Sequence, residues 1–169
     1  DINLRINNNG IIEVKSERIG YELKSTEKIE HFTNQNGWWE SGDYGKLIKI
    51  NKFYYLEVLG RKDNAFKSGG ETIFPDLIKT RINEFIFNKN IPIKNILISK
   101  KKDELWGYRF EVILNFKDDL TQKEIKDIII LLEKFTDNWP NHEKPLGWKI
   151  TKEESVFDEK KSITWKNIF

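Results

Sequence analysis

The sequence predicts an α+β fold in two parts, and three observations carry that prediction. Residues 1–59 hold turn signals set between short runs of β-type sequence. After Pro75 the apolar residues move to helical spacing. Between residues 108 and 116 they alternate along a strand, and a helix-capping signature follows. A β-rich start followed by mixed strand and helix patterns gives a β-rich part and then a small α+β unit.

The first part is justified by its turns. Asn7-Asn8-Asn9-Gly10 is a turn signal, and residues 11–15 behind it form a short strand. Residues 32–37 are rich in turn formers and lead to Trp38 and Trp39. A small sheet with a buried tryptophan is expected there. Residues 46–50 and 53–59 read as two strands joined at Asn51-Lys52.

A charged stretch follows, Gly60-Arg61-Lys62-Asp63, and then Ser68-Gly69-Gly70-Glu71. Mixed charge followed by conformationally permissive glycines is a good place for a chain to swivel. Pro75 suits the first turn of a helix. Ile78, Ile82, Phe85 and Ile86 share one helical face, and Asn90-Ile91-Pro92 ends it. Residues 96–99 are a short apolar strand. Tyr108, Phe110, Val112, Leu114 and Phe116 lie on one side of the next strand. Thr121 and Glu124 make a capping box before a helix carrying Ile125, Ile128, Ile129 and Leu132 at core spacing.

Composition removes several function classes. The 169 residues are enough for one ordinary domain, or for one domain with a fragment of another. The chain starts at Asp1 and has no methionine, so a piece of a longer protein is expected. Net charge is +2 with both signs interleaved, which gives no strong field for nucleic acid. No apolar run reaches the roughly 18 residues of a membrane span, and no secretory h-region is present. Without cysteine there is no thiol nucleophile or thiolate metal site. Two histidines are too few for a His-built zinc site, so no metal ligands are assigned. A cytoplasmic location is expected.

Two motifs go further. Gly37-Trp38-Trp39-Glu40-Ser41-Gly42-Asp43 precedes Gly60-Arg61-Lys62-Asp63 by about twenty residues, and Ser68-Gly69-Gly70-Glu71 to Pro75 then opens a helix. In order and spacing they resemble the adenylate-forming superfamily of acyl-CoA synthetases and related AMP-binding ligases. Ser41 stands where that family usually has Thr, and the hydroxyl is kept. The resemblance implies that residues 1–62 are the β-rich end of a large N-terminal AMP-binding domain. Residues 63–169 would be the small mobile C-terminal domain.

The resemblance also assigns roles. Asp43 would bind the ATP ribose, its two oxygens matching a cis-diol; its bland reading is a turn aspartate after Gly42. Arg61 would bind the nucleotide through its fork of donors, against the reading of a surface ion pair. Asp63 would be the hinge between the domains, and Gly69 and Gly70 would line the coenzyme A tunnel. The family's catalytic lysine maps to Lys161, although the usual preceding glycine is replaced by Lys160, which is the alternative. Its task would be electrostatic: a fixed cation lets the carboxylate approach the α-phosphate. The implied partners are ATP, Mg²⁺, coenzyme A, a small carboxylic acid and the rest of the large domain.

Trp106-Gly107 resembles a pair that the family has after an acidic turn, with a core tryptophan as the simpler account. Lys100-Lys101-Lys102 would face coenzyme A phosphates or form a solvated turn. Trp139-Pro140, with Pro145 and Trp148, is similar to the 2-succinylbenzoate–CoA ligases of cyanobacterial type, which serve phylloquinone and menaquinone synthesis. The alternatives are another aryl- or fatty-acyl-CoA ligase, or a non-catalytic interaction module, which the irregular lysine segment favours.

Overall fold

A computed structural model of the chain describes residues 1–158 except 21, 25, 27, 28 and 118, with backbone alone at 23, 30 and 158. The chain forms two compact units, Asp1–Ala65 and Phe66–Phe169.

The first unit is built of strands β1 (Ile2–Ile6), β2 (Ile11–Ser16), β3 (Glu22–Lys24), β4 (Ile29–His31), β5 (Trp39–Ile50) and β6 (Phe53–Arg61). Four of them form an antiparallel sheet in the order β1-β2-β5-β6, and β3 pairs with β4. The turn between β1 and β2 is set by Asn7. Its Oδ1 accepts from the amides of Asn9 and Ile11 at 2.9 and 3.0 Å, as short amide side chains do in turns. Asn51, at φ +56°, turns β5 into β6 so tightly that Ile50 pairs with Phe53. Among the described residues of this unit, Ile11 and Ile12 are the buried apolar side chains. Gly45 lies against Ile12, where a Cβ would stand 2.6 Å from the isoleucine Cγ1.

The expected buried tryptophan is not found in this sheet. Trp39 is exposed, and half-buried Trp38 is covered by the Arg5 guanidinium, 4.1 Å from its ring centroid. A cation over an indole face supplies the cover that a second layer would otherwise give. Arg5 also pairs with the buried Glu13 at 2.6 Å.

The second unit has β7 (Phe66–Ser68), β8 (Glu71–Ile73), α1 (Pro75–Asn88), β9 (Ile93–Asp103), β10 (Gly107–Phe116), α2 (Gln122–Thr136), β11 (Trp148–Ile150) and α3 (Ser155–Asp158). β10 is the centre: it pairs antiparallel with β9 and β7 and parallel with β11. Its inward residues Phe110, Val112 and Leu114 are fully buried, as the alternation predicts. They meet Ile78, Ile82 and Ile86 of α1 and Leu132 of α2 in one core. Each large side chain buried there contributes about 1.5–3 kcal/mol. Phe85 of α1 stacks on Phe135 of α2 with centroids 4.0 Å apart.

The caps explain the helix ends. Thr121 Oγ1 accepts from the Glu124 amide, and the Glu124 carboxylate accepts from the Thr121 amide at 2.8 Å. α1 begins on Pro75 and stops before Asn90, which adopts φ +50° ahead of Pro92. β9 runs eleven residues, longer than the apolar stretch alone predicts. Lys100, Lys101 and Lys102 therefore lie in a strand, not a turn, paired with Phe110, Arg109 and Tyr108.

Candidate functional site

Asp43 and Arg61 face each other across β5 and β6. The motif bends the strand to achieve this. Opposite β2, Ile11 pairs with Tyr44 and Glu13 with Glu40, so β5 carries two more residues than its partner over this interval. Such bulges re-aim side chains and recur beside functional sites. Gly42 takes φ +77° within the bulge, a region that suits glycine. Ser41 Oγ accepts from the Asp43 amide at 3.1 Å, so its hydroxyl has a local structural task.

The Arg61 guanidinium is shared between two carboxylates. Nη1 lies 3.5 Å from Asp43 Oδ1, and Nε lies 3.4 Å from Asp63 Oδ1. Asp43 is the most covered of the three and Asp63 the most open. These long, partly solvated contacts are weak ion pairs. A ligand hydroxyl or phosphate can therefore replace them at little expense. The two motifs named Asp43 and Arg61 for the nucleotide and Asp63 for the hinge, and all three lie at one end of the β5–β6 pair.

A second pair there was missed. Lys62 Nζ hydrogen-bonds Glu40 Oε1 at 2.7 Å, and the Lys62 amide donates to the Gly42 carbonyl at 2.8 Å. The hydrogen bond and the charge of Glu40 hold the Lys62 ammonium above its ordinary pKa. Twenty-two residues separate the two, and only the strand register, bulge included, brings them together. Glu40 belongs to the first motif and Lys62 to the second, which was the available signal.

Gly69 and Gly70 belong to the other unit and form the tip of the β7–β8 hairpin. They are not equivalent. Gly69, at φ +58°, lies under the Trp106 ring, where a Cβ would stand 2.4 Å from Cε3. Its amide donates to the Trp106 carbonyl at 2.9 Å. Gly70, at φ +90°, faces open space. Trp106 is half-buried and stands outside the core cluster, so the core account of it is corrected: it is the platform on which the glycine hairpin sits. Arg109 approaches that ring at 5.4 Å, and Lys67 Nζ bonds Thr72 Oγ1 at 2.6 Å beside the hairpin tip.

The Trp139 motif has a packing role. Trp139 is buried, with the Arg81 guanidinium 3.7 Å over its ring and Phe135 edge-on at 5.3 Å. Arg81 also pairs with Glu143, which ties α1 to the short 3₁₀ turn Asn141–Glu143. Lys160 and Lys161 lie outside the described residues. Among the described residues no group of three His, Cys, Asp or Glu could hold a metal ion.

No protein-family model matches the chain. The 2-succinylbenzoate–CoA ligase of Haemophilus influenzae is 24% identical over 121 residues, covering 72% of this chain and 24% of that protein. Long-chain-fatty-acid–CoA ligase 5 of Rattus norvegicus is 31% identical over 96 residues, covering 55% of this chain and 13% of that protein. The chain thus spans about a quarter or less of these relatives. In fold it is similar to the o-succinylbenzoate CoA synthetase of Bacillus subtilis, solved with the acyl-adenylate intermediate OSB-AMP. That match has a TM-score of 0.65 at 20% identity and covers 90% of this chain and 30% of the other. In sequence and in fold, the chain matches a fragment of the adenylate-forming ligase superfamily.

Proposed function

We propose that the chain is the C-terminal part of an ATP-dependent, AMP-forming carboxylate–CoA ligase, acting on 2-succinylbenzoate in menaquinone or phylloquinone synthesis. Residues 1–62 close the AMP-binding domain, and residues 63–169 are the domain that turns about Asp63. Asp43 accepts hydrogen bonds from the ribose diol, and Arg61 donates to the nucleotide. In the first step the substrate carboxylate attacks the α-phosphate, and pyrophosphate leaves. Lys161 offsets the charge of the two anions as they meet, with Lys160 as the alternative. In the second step the coenzyme A thiol attacks the acyl carbon and AMP leaves. Gly70 at the hairpin tip borders the path of the thiol arm, and Gly69 holds that tip on Trp106.

Mg²⁺ belongs to this reading as part of the incoming ATP. The described residues supply no group of three His, Cys, Asp or Glu that could hold it. No helix among the described residues is long and apolar enough to cross a membrane. The observation that supports the reading most is the opposition of Asp43 and Arg61 across a bulged strand pair, joined by an ion pair loose enough to open. A long-chain fatty acid is the second reading of the substrate, favoured by the 31% identical relative from Rattus norvegicus.

The test uses a chimera in which these 169 residues replace the matched segment of the Haemophilus influenzae ligase. Asp43→Ala should cut ATP–pyrophosphate exchange tenfold or more. Loss of one charge-assisted contact is worth on the order of 1.5–3 kcal/mol. Undiminished exchange in Asp43→Ala would reject the nucleotide assignment.

A further inference from the structure

The β5–β6 hairpin is apolar on both faces and exposed on both. Strand register puts Leu47, Leu56 and Val58 on one face, and Ile48, Tyr55 and Phe53 on the other. Their exposure runs from 36% at Ile48 to 68% at Phe53. Scattered exposed apolar residues need no explanation, but a contiguous apolar patch marks an interaction surface. The ribbon also carries charge: Lys46 pairs with Glu57 at 2.8 Å, Lys49 Nζ lies 5.5 Å from the Tyr54 ring centroid, and Lys52 sits at the turn. β6 is also an edge strand of its sheet, so its outer backbone groups stand ready for another strand.

We infer that this ribbon is the element by which the first unit inserts between apolar layers of the remaining part of an adenylate-forming large domain. The inference rests on the ligase reading above and names the surface that joins the fragment to the rest. Two observations choose the occupant. The relatives carry about three quarters of their length outside the segment that this chain matches, so material of the right kind exists in a complete ligase. A second copy of this chain is a poorer fit. A two-fold contact buries the same patch on both partners, and one such patch covers one face of a ribbon and leaves the other wet. Two apolar faces and an open edge call for a layer on each side and a strand beside β6.

Hydrogen exchange across residues 46–58 tests this in the chimera described above, against the isolated 169-residue chain. Exchange should slow at least tenfold in the chimera. Leu56→Lys on one face and Tyr55→Lys on the other should each return it to the rate of the isolated chain. Phe87→Lys, at a position 81% exposed on α1, is the control and should change nothing. If a lysine variant of the chimera fails to fold, Leu56→Gln and Tyr55→Gln in the chimera take its place, with the same expected loss of protection. Equal exchange in chimera and isolated chain overturns the inference. So does sensitivity on one face alone. So does an isolated chain that sediments as a dimer and loses it on Leu56→Lys. None of these readings uses pyrophosphate exchange, so failure here and failure of the ligase assignment are separate results.

Discussion

The two units cover their own apolar surface to very different degrees. In the second unit thirteen buried residues, drawn from both long helices, four strands and the loops between them, form one cluster around β10. Among the described residues of the first unit, Ile11 and Ile12 are the buried apolar side chains, while the β5–β6 ribbon shows aromatic and aliphatic side chains to solvent. Both units are rich in β-type sequence, so the difference is not one of propensity. It lies in layers. Two helices pack on the second unit's sheet, and among the described residues of the first there is no helix to do so. A sheet whose apolar faces lack a covering layer has less to hold it than its strand count suggests.

The largest way to break this contrast is Phe110→Ala. The ring is fully buried at the centre of the second core, and truncation of a buried Phe costs about 3–5 kcal/mol. Phe53→Ala, in the isolated chain, should stay within about 0.5 kcal/mol, as exposed substitutions usually do. Hydrogen exchange resolved by unit is the measurement, because two units need not unfold together. Comparable losses from both substitutions would erase the distinction.

The glycine hairpin sharpens the contrast within the second unit. Gly69→Ala forces a Cβ into the Trp106 ring at a positive φ, and about 2 kcal/mol of destabilisation is expected. Gly70→Ala meets open space, so backbone strain of about 1 kcal/mol remains. Adding Trp106→Ala to Gly69→Ala should recover the steric share, a coupling that a thermal unfolding cycle can read.

A smaller effect is expected at the start of α2. Thr121→Ala removes the cap and should cost about 1 kcal/mol in denaturant unfolding. The Thr121 hydroxyl and amide hold the Glu124 carboxyl below its ordinary pKa. Its contribution is therefore complete above the ordinary glutamate value and is lost as pH falls through the lowered one. Glu124→Gln should flatten that part of the acid limb. An unchanged acid limb would remove the capping box from the account.

The helices and β10 were legible because their signals are local. Spacing at Ile78, Ile82 and Ile86, alternation at Phe110, Val112 and Leu114, and the Thr121–Glu124 box all lie within one element. What was missed depends on pairing. The length of β5 comes from partners on both of its sides, and β1 appears only once β2 is there to pair with it. The hairpin at Gly69 was readable as a turn, but not its seat on Trp106, because the β9–β10 connection returns that ring from far along the chain. At the candidate site, motif spacing named Asp43, Arg61 and Asp63, and strand pairing sets them side by side. The Glu40–Lys62 pair was not, since no rule of local sequence joins residues whose only relation is strand register. The tryptophans at 38 and 39 misled for a related reason: a large aromatic suggests a core, and the cover over Trp38 is a cation on another strand.

The bulge that carries Asp43 also sets how this site can change over time. Side chains alternate along a strand with a period of two, and β5 holds two surplus residues between Tyr44 and Glu40. Replacing Ser41, or losing both surplus residues together, keeps every later residue of β5 on its present face. Losing or gaining a single residue there would turn the following strand over and send Gly45 away from Ile12. Length changes at this motif should therefore be accommodated in steps of two, while Gly42, at φ +77°, limits which point changes the bulge accepts.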